Sequence, residues 1–270
     1  MSSDTTLAQL HAVLATLTVG LIMVPREQWM TCTPDDLCSE LATKNRDTQF
    51  STIPVMVDGR VLGLLDAARW FDHSAPAVPV GDDYQPLSED ILIAEDASIF
   101  DFVRQADTHP TNLVVKGTRI AGLVSLSDLQ QLPVRAALFT LVTSFEIAMA
   151  ELIAHRYPKD SDWKALLSEG RREKLALQVD EAKRKDSFAS ELLFTQFCDK
   201  RDIVVSIGLN RIDPGTLRER IKAIERLRNN LAHANAYADS VAKAKKVCDV
   251  VRDIYDLKKA ILAVVQGPPR

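Results

Sequence analysis

Phe50-Ser51-Thr52-Ile53-Pro54-Val55-Met56-Val57-Asp58-Gly59-Arg60-Val61-Leu62-Gly63-Leu64-Leu65 reads as an apolar strand, a tight turn at Asp58-Gly59 and a second apolar strand. About 58 residues later, His109-Pro110-Thr111-Asn112-Leu113-Val114-Val115-Lys116-Gly117-Thr118-Arg119-Ile120-Ala121-Gly122-Leu123-Val124 follows the same plan, with its turn at Lys116-Gly117 and one extra residue in that turn. Glycine supplies the positive φ that a short hairpin turn needs, so each stretch predicts a β-hairpin. Two such hairpins in one chain predict a duplicated unit.

Working outward, a short helix precedes each hairpin: Asp35 to Asn45 with Leu37 and Leu41, and Ala97 to Ala106 with Ile99, Phe102 and Val103. Asp96 and Ser98 are the N-cap candidates for the second. A further helix follows each hairpin, from near Asp66 and near Ser127. This β-α-β-β-α plan, given twice between about Val19 and Leu132, resembles a tandem pair of CBS domains. The resemblance is most specific at Gly122-Leu123-Val124-Ser125-Leu126-Ser127-Asp128-Leu129, which follows the family's Gly-apolar-apolar-Ser/Thr-x-x-Asp-apolar ending.

Such pairs bind adenosine nucleotides, so the resemblance implies a regulatory ligand of the ATP, ADP, AMP or S-adenosylmethionine type. It assigns phosphate contact to Ser125 and the ribose hydroxyls to Asp128, with Thr111 and Ile93 as further nucleotide-binding positions. The chemistry is reasonable, because a strand-to-helix turn presents free N–H groups to an anion and a carboxylate accepts two hydroxyl bonds. The first copy departs from the pattern, with Asp66 in place of Ser125 and Arg69 in place of Asp128. At most one nucleotide site is therefore expected. Asn112 also stands where the family has a proline, with Pro54 taken as its counterpart in the first copy. The other reading of Ser125 and Asp128 is a pair of helix caps.

The net charge of −4 over 270 residues hides a division. Through Leu132 there are 8 Lys+Arg against 18 Asp+Glu, and from Pro133 onward 25 against 19. The split marks a boundary and makes the second part the candidate for a polyanion partner. Ten glycines and 6% aromatic residues argue against a large all-β protein and an aromatic-rich single-strand binder. Four cysteines (Cys32, Cys38, Cys198, Cys248) form no Cys-x-x-Cys pair, which excludes the common zinc patterns and points to a reducing, cytoplasmic setting. Met1-Ser2-Ser3-Asp4 lacks the positive charge of a secretory leader, and Leu7 to Val24 is too mixed for a membrane span, reading instead as a buried helix and then a strand.

From Pro133 the period becomes helical. Leu138, Leu141, Val142, Phe145, Met149, Leu152 and Ile153 recur at three and four residues, and further helices are expected near 162–186, 190–207, 214–236 and 240–265. Asp213-Pro214 is a start signal and Asp160-Ser161-Asp162 another. The fold class is thus α+β: a strand-containing pair over residues 1–132, with copies at about 19–75 and 86–132, then a four- or five-helix bundle over 133–270.

Within the fourth of these helices stands Glu225-Arg226-Leu227-Arg228-Asn229-Asn230-Leu231-Ala232-His233. Arg228-Asn229-x-x-x-His233 resembles the Arg-polar-x-x-x-His signature of the HEPN family, helical domains of which many are metal-independent endoribonucleases. The resemblance implies Arg228, His233 and Asn229 as catalytic residues; Glu146 is a candidate to bridge or orient Arg228, and equally to form a structural salt bridge inside the bundle. It also implies an RNA substrate, no catalytic cofactor or metal, and a homodimer whose seam forms the cleft. Neither DNA nor a membrane is an expected partner. A histidine exchanges protons near neutrality and a fixed arginine charge stabilises a five-coordinate phosphorus. Five residues of helix separate the two side chains by about 140°, a difficulty that a second chain across a two-fold axis relieves. Non-catalytic alternatives are an assembly module and an acceptor for a nucleotidyl group. His155-Arg156 reads as a helix end, Lys183-Arg184-Lys185 and Lys243, Lys245 and Lys246 as solvated faces. His11, His73 and His109 are assigned no chemistry and no partner.

Overall fold

The computed structural model describes residues 12, 14–71, 74–185, 190–209 and 212–266. The chain divides into two compact units, Thr16–Pro133 and a helical unit of Val134–Arg270 that includes the residues before Thr16. His11, His73 and the expected helix from Leu7 fall wholly or largely outside the described residues; positions 12 and 14–16 are helical.

The strand unit runs β1 (Val24–Pro25), α1 (Cys38–Lys44), β2 (Thr52–Val57), β3 (Arg60–Asp66), β4 (Gln85–Pro86), β5 (Leu92–Ala94), α2 (Ile99–Val103), β6 (Thr111–Lys116) and β7 (Arg119–Ser125). The two hairpins are superposable in register. Thr52 pairs with Asp66 and Val57 with Arg60, with a bulge between Val55 and Met56; Thr111 pairs with Ser125 and Lys116 with Arg119, with a bulge between Val114 and Val115. Both turns therefore hold two residues, Asp58-Gly59 and Gly117-Thr118. The extra residue expected in the second turn does not exist. Asp58 and Gly59 both have positive φ, 49° and 73°, whereas in the second turn Gly117 (59°) is the residue with positive φ, as the two primed turn types require. The same register corrects another assignment: Asn112 is the counterpart of Ile53, and Pro54 that of Leu113.

The edge strands are exchanged. β1, which precedes the first copy, pairs antiparallel with β7 of the second, and β4, which precedes the second copy, pairs with β3 of the first. The exchange has its own repeat, Val19-Gly20 to Pro25 against Val80-Gly81 to Pro86. Gly20 and Gly81 donate to Glu95 O and Pro34 O at 2.8 and 2.9 Å, and Val19 and Val80 donate to Ala97 O and Asp36 O in the same way. The crossing strands explain the paired glycines. A Cβ on Gly63 would lie 2.0 Å from Gln85 O, and one on Gly122 2.9 Å from Val24 O. Between the copies Val61, Leu64, Ile91 and Leu113 form one apolar cluster, and the Thr52 and Thr111 hydroxyls meet at 2.8 Å.

Helix bounds are tighter than the periodicity suggests. α2 starts at Ile99 with Ser98 as its cap (3.2 Å to Phe100 N–H), not Asp96, and the helices expected after the hairpins are 3₁₀ segments, Ala68–Trp70 and Leu126–Gln130. The helical unit contains α3 (Leu132–Arg156), α4 (Asp160–Lys164), α5 (Glu169–Arg184), α6 (Phe197–Ile207), α7 (Pro214–Ala232) and α8 (Val241–Val265). The single helix expected near 162–186 is thus two, and a 3₁₀ segment, Glu191–Phe194, precedes α6. Asp213 caps α7 by accepting from Thr216 N–H at 2.9 Å, with Pro214 in its first turn. Trp163, Phe145 and the apolar faces of α7 and α8 fill the core. α3 is long and apolar enough to cross a membrane by composition, but 56% of its most apolar window is buried inside the fold.

Candidate functional site

In the strand unit the second copy ends in a closed polar box. Ser125 is the N-cap of the 3₁₀ segment Leu126–Gln130. Asp128 Oδ2 accepts from the Ser125 N–H at 2.6 Å and from its hydroxyl at 3.1 Å, while Asp128 Oδ1 accepts from Gln131 Nε2 at 2.8 Å. Gln131 Nε2 also donates to Ile22 O at 2.8 Å. Asp128 is 7% exposed, and burial raises its carboxyl above the ordinary range although the bonds from Ser125 and Gln131 pull the other way. Thr111 is engaged with Thr52, and Ile93 is a buried β5 residue opposite Val114. The four residues assigned to a nucleotide are therefore satisfied by their own fold. Asp128 carries three hydrogen bonds from its own fold, so a ribose hydroxyl that reaches it shares the carboxylate with Ser125 and Gln131.

Asn112 is the exception. It is fully buried, and neither its Oδ1 nor its Nδ2 has a hydrogen-bond partner. Its first-copy counterpart, Ile53, lies in an apolar cluster with Cys38, Leu41, Val55 and Leu65. At the other end of the first copy, Asp66 accepts from Ala68 N–H at 3.1 Å, and Arg69 pairs with Asp83 above the Trp70 ring.

In the helical unit the motif lies at the C-terminal end of α7. Arg228 is half-buried and donates to Asn229 Oδ1 at 3.3 Å. His233 is the exposed C-cap residue, its N–H donating to Asn229 O at 3.1 Å. Arg228 and His233 share no hydrogen bond within the chain. Glu146 does not orient Arg228 but pairs with Lys200, a 3% exposed residue of α6, at 3.0 Å; Lys200 also donates to Thr195 O at 2.7 Å. Glu225 pairs with Arg201 rather than with Arg228. His109, expected to stand alone, has Nδ1 4.0 Å from Asp90 Oδ2.

The end of α7 closes in a Schellman turn. Asn235 N–H donates to Asn230 O at 3.0 Å and Ala234 N–H to Leu231 O at 3.4 Å, with Ala234 in the left-handed region at φ 54°. Arg135 of α3 completes it. Its guanidinium donates to Asn230 O (3.3 Å), Leu231 O (3.1 Å) and Asn235 O (2.8 Å) and lies 4.9 Å from the centre of the Tyr237 ring. No sequence motif pointed to Arg135, because nearly a hundred residues separate it from the turn it holds.

Much of the basic excess of this unit is neutralised. Arg218 pairs with Asp202 (2.6 Å), Arg220 with Asp253 (2.6 Å), Lys222 with Glu219 (2.9 Å) and Lys243 with Asp239 (2.8 Å). Among the described residues, Arg226, Arg228, Lys245 and Lys246 have no carboxylate at ion-pair distance. No group of three or more His, Cys, Asp or Glu side chains that could hold a metal occurs among the described residues, and the four cysteines, all described, form no disulfide.

No family model and no curated protein matches this sequence. Solved structures do match the N-terminal part. The CBS domain of a bacterial CNNM/CorC family Mg2+ transporter in complex with ATP is 18% identical and covers 47% of this chain and 94% of that one, with a TM-score of 0.38. The CBS domains of a transcriptional regulator from Streptococcus pneumoniae are 17% identical (42% and 97% covered, TM-score 0.36). CBSX2 in complex with AMP is 18% identical (45% and 96% covered, TM-score 0.36). The helical unit has no counterpart among these.

Proposed function

We propose that the protein is a metal-independent endoribonuclease of HEPN type, acting as a homodimer through the end of α7. The observation that carries this reading is the contrast around Arg228. Arg218, Arg220 and Lys222, earlier on α7, are held by carboxylates. Arg228 keeps an uncompensated charge on the same helix end as Asn229 and the exposed His233. A guanidinium without a carboxylate partner and an accessible imidazole on one helix end suit a phosphodiester.

In the proposed reaction the imidazole takes the proton of a 2′-hydroxyl, and the 2′-oxygen attacks phosphorus. The bond from phosphorus to the 5′-oxygen breaks, and that oxygen leaves with a proton from imidazolium or water. Arg228 stabilises the negative charge on the five-coordinate phosphorus. The products are a 2′,3′-cyclic phosphate and a 5′-hydroxyl. The two side chains leave the helix about 140° apart, so a second copy across a two-fold axis would complete the site.

Cleavage of structured and unstructured RNA in EDTA tests this directly. Arg228→Ala and His233→Ala should each lose about 100-fold or more in rate. Wild type and His233→Ala behaving alike on every RNA sinks the proposal.

Regulation by an adenine nucleotide at the second copy is the accompanying proposal, motivated by the Ser125–Asp128 ending. Because Asp128 is bonded on both oxygens, a ribose competes with Ser125 and Gln131 for its carboxylate. Calorimetric titration with ATP, ADP, AMP and S-adenosylmethionine should give heat that Asp128→Ala abolishes. No heat from any of the four refutes it for these ligands. The non-catalytic reading, a sensing and dimerisation protein, is what a silent cleavage assay with a positive titration would support.

A further inference from the structure

The turn that presents His233 is not self-sufficient. Four C-terminal carbonyls of any α-helix lack an intrahelical donor, and the Schellman turn supplies donors to only two of them here, at Asn230 and Leu231. It does so with alanine, not glycine, in the left-handed position, which is a strained choice for a residue bearing a Cβ. Asn230 and Asn235, which flank the turn, bring no apolar contact to fasten it, although that contact commonly accompanies the motif. A free helix end of this composition would fray.

Arg135 braces the turn from outside, adding second donors to the Asn230 and Leu231 carbonyls that the turn already engages. Its planar fork reaches three carbonyls on both sides of His233, two before it and one after it. Such geometry fixes the direction of the chain through the turn, not merely its charge, because guanidinium donors have a set mutual orientation. The ring of Tyr237, 4% exposed, lies beneath the guanidinium and limits its movement. The charge is also correctly placed, a cation on the negative end of a helix dipole.

We propose that Arg135 is a positioning residue for His233: it locks the 230–235 turn and so sets the direction in which the imidazole leaves the end of α7. The catalytic part of this inference rests on the ribonuclease reading; the structural part does not. Arg135 directs its hydrogen bonds to backbone carbonyls and not to the imidazole, so its effect on His233 passes through the main chain.

The test compares wild type, Arg135→Gln and Arg135→Lys in the full chain by two readouts. Amide hydrogen exchange at Ala234 and Asn235 should accelerate at least about 10-fold in Arg135→Gln, while amides of Ile224 and Leu227 stay within about twofold, showing that the bundle is intact. On RNA, kcat should fall about 10-fold or more with KM little changed, since substrate contacts remain and orientation is lost. Arg135→Lys keeps the charge without the fork and should resemble Arg135→Gln. Unchanged exchange at Ala234 and Asn235 overturns the proposal whatever the RNA result. Faster exchange with undiminished kcat in an active protein overturns its catalytic part. A wild type that cleaves nothing refutes the ribonuclease reading alone, and exchange then decides whether Arg135 holds the turn.

Discussion

The two copies of the strand unit share register, bulge position and exchanged edge strand, yet they end differently. In the first, Arg69 faces outward to Asp83, over the Trp70 ring. In the second, the equivalent Asp128 turns inward and binds Ser125 and Gln131. The scaffold tolerates either ending because both lie beyond the hairpins and outside the crossing-strand pairs at Gly63 and Gly122. What differs between the copies is therefore chemistry rather than topology: an exposed ion pair of small value at one end, a buried capping box at the other.

The largest expected difference lies at the glycines. Gly63→Ala drives a Cβ into backbone at 2.0 Å and should cost about 3 kcal/mol or more, whereas Gly122→Ala meets the flexible Met23 side chain and Val24 O at 2.9 Å and should cost about 1–3 kcal/mol. Denaturant titration of both variants checks the order; equal costs would mean that the two crossings are equally tight in solution, against the structure.

Next comes the core position where the copies disagree most. Asn112→Ile gives the second copy the residue of the first and removes two unsatisfied buried groups, so it should stabilise by about 1–3 kcal/mol. The reverse change, Ile53→Asn, should destabilise by about 2–5 kcal/mol. If Asn112→Ile destabilises, a buried water bonded to the amide becomes the explanation to pursue.

The smallest effect is one of pH. Burial raises the Asp128 carboxyl in the folded chain, so the native state holds its proton to higher pH than the unfolded chain does. Its contribution is fully present below the ordinary carboxyl pKa and fades as pH rises through the raised value. Wild type should therefore gain stability relative to Asp128→Asn on acidification. A loss instead would show that the three hydrogen bonds outweigh burial.

Much of this architecture was readable in the residues, and the part that was not has a common cause. The hairpins announced themselves through alternation and turn glycines, and α7 through Asp213-Pro214. The exchanged strands did not, since two residues carry no period, although Val19-Gly20 and Val80-Gly81 repeat in plain view. The Asn112 correction needed a register that only paired strands fix. At the helical end, the motif residues are local and legible, whereas Lys200 on Glu146 and Arg135 on the 230–235 turn join positions far apart in the chain. Long-range polar partners leave no spacing signal, so the sequence could not choose between Arg228 and a structural salt bridge for Glu146, and the structure gives it Lys200.

The meeting of Thr52 and Thr111 across the approximate two-fold has a consequence at the level of a single hydrogen. Two hydroxyls bonded to each other cannot play the same part: one must give its proton and the other receive it. A pair of halves identical in every heavy atom would still be forced into unequal roles at that contact, each choice the other turned through the two-fold. Because Asp66 stands opposite Thr52 and Ser125 opposite Thr111, the surroundings are unequal, and one direction of that bond is preferred.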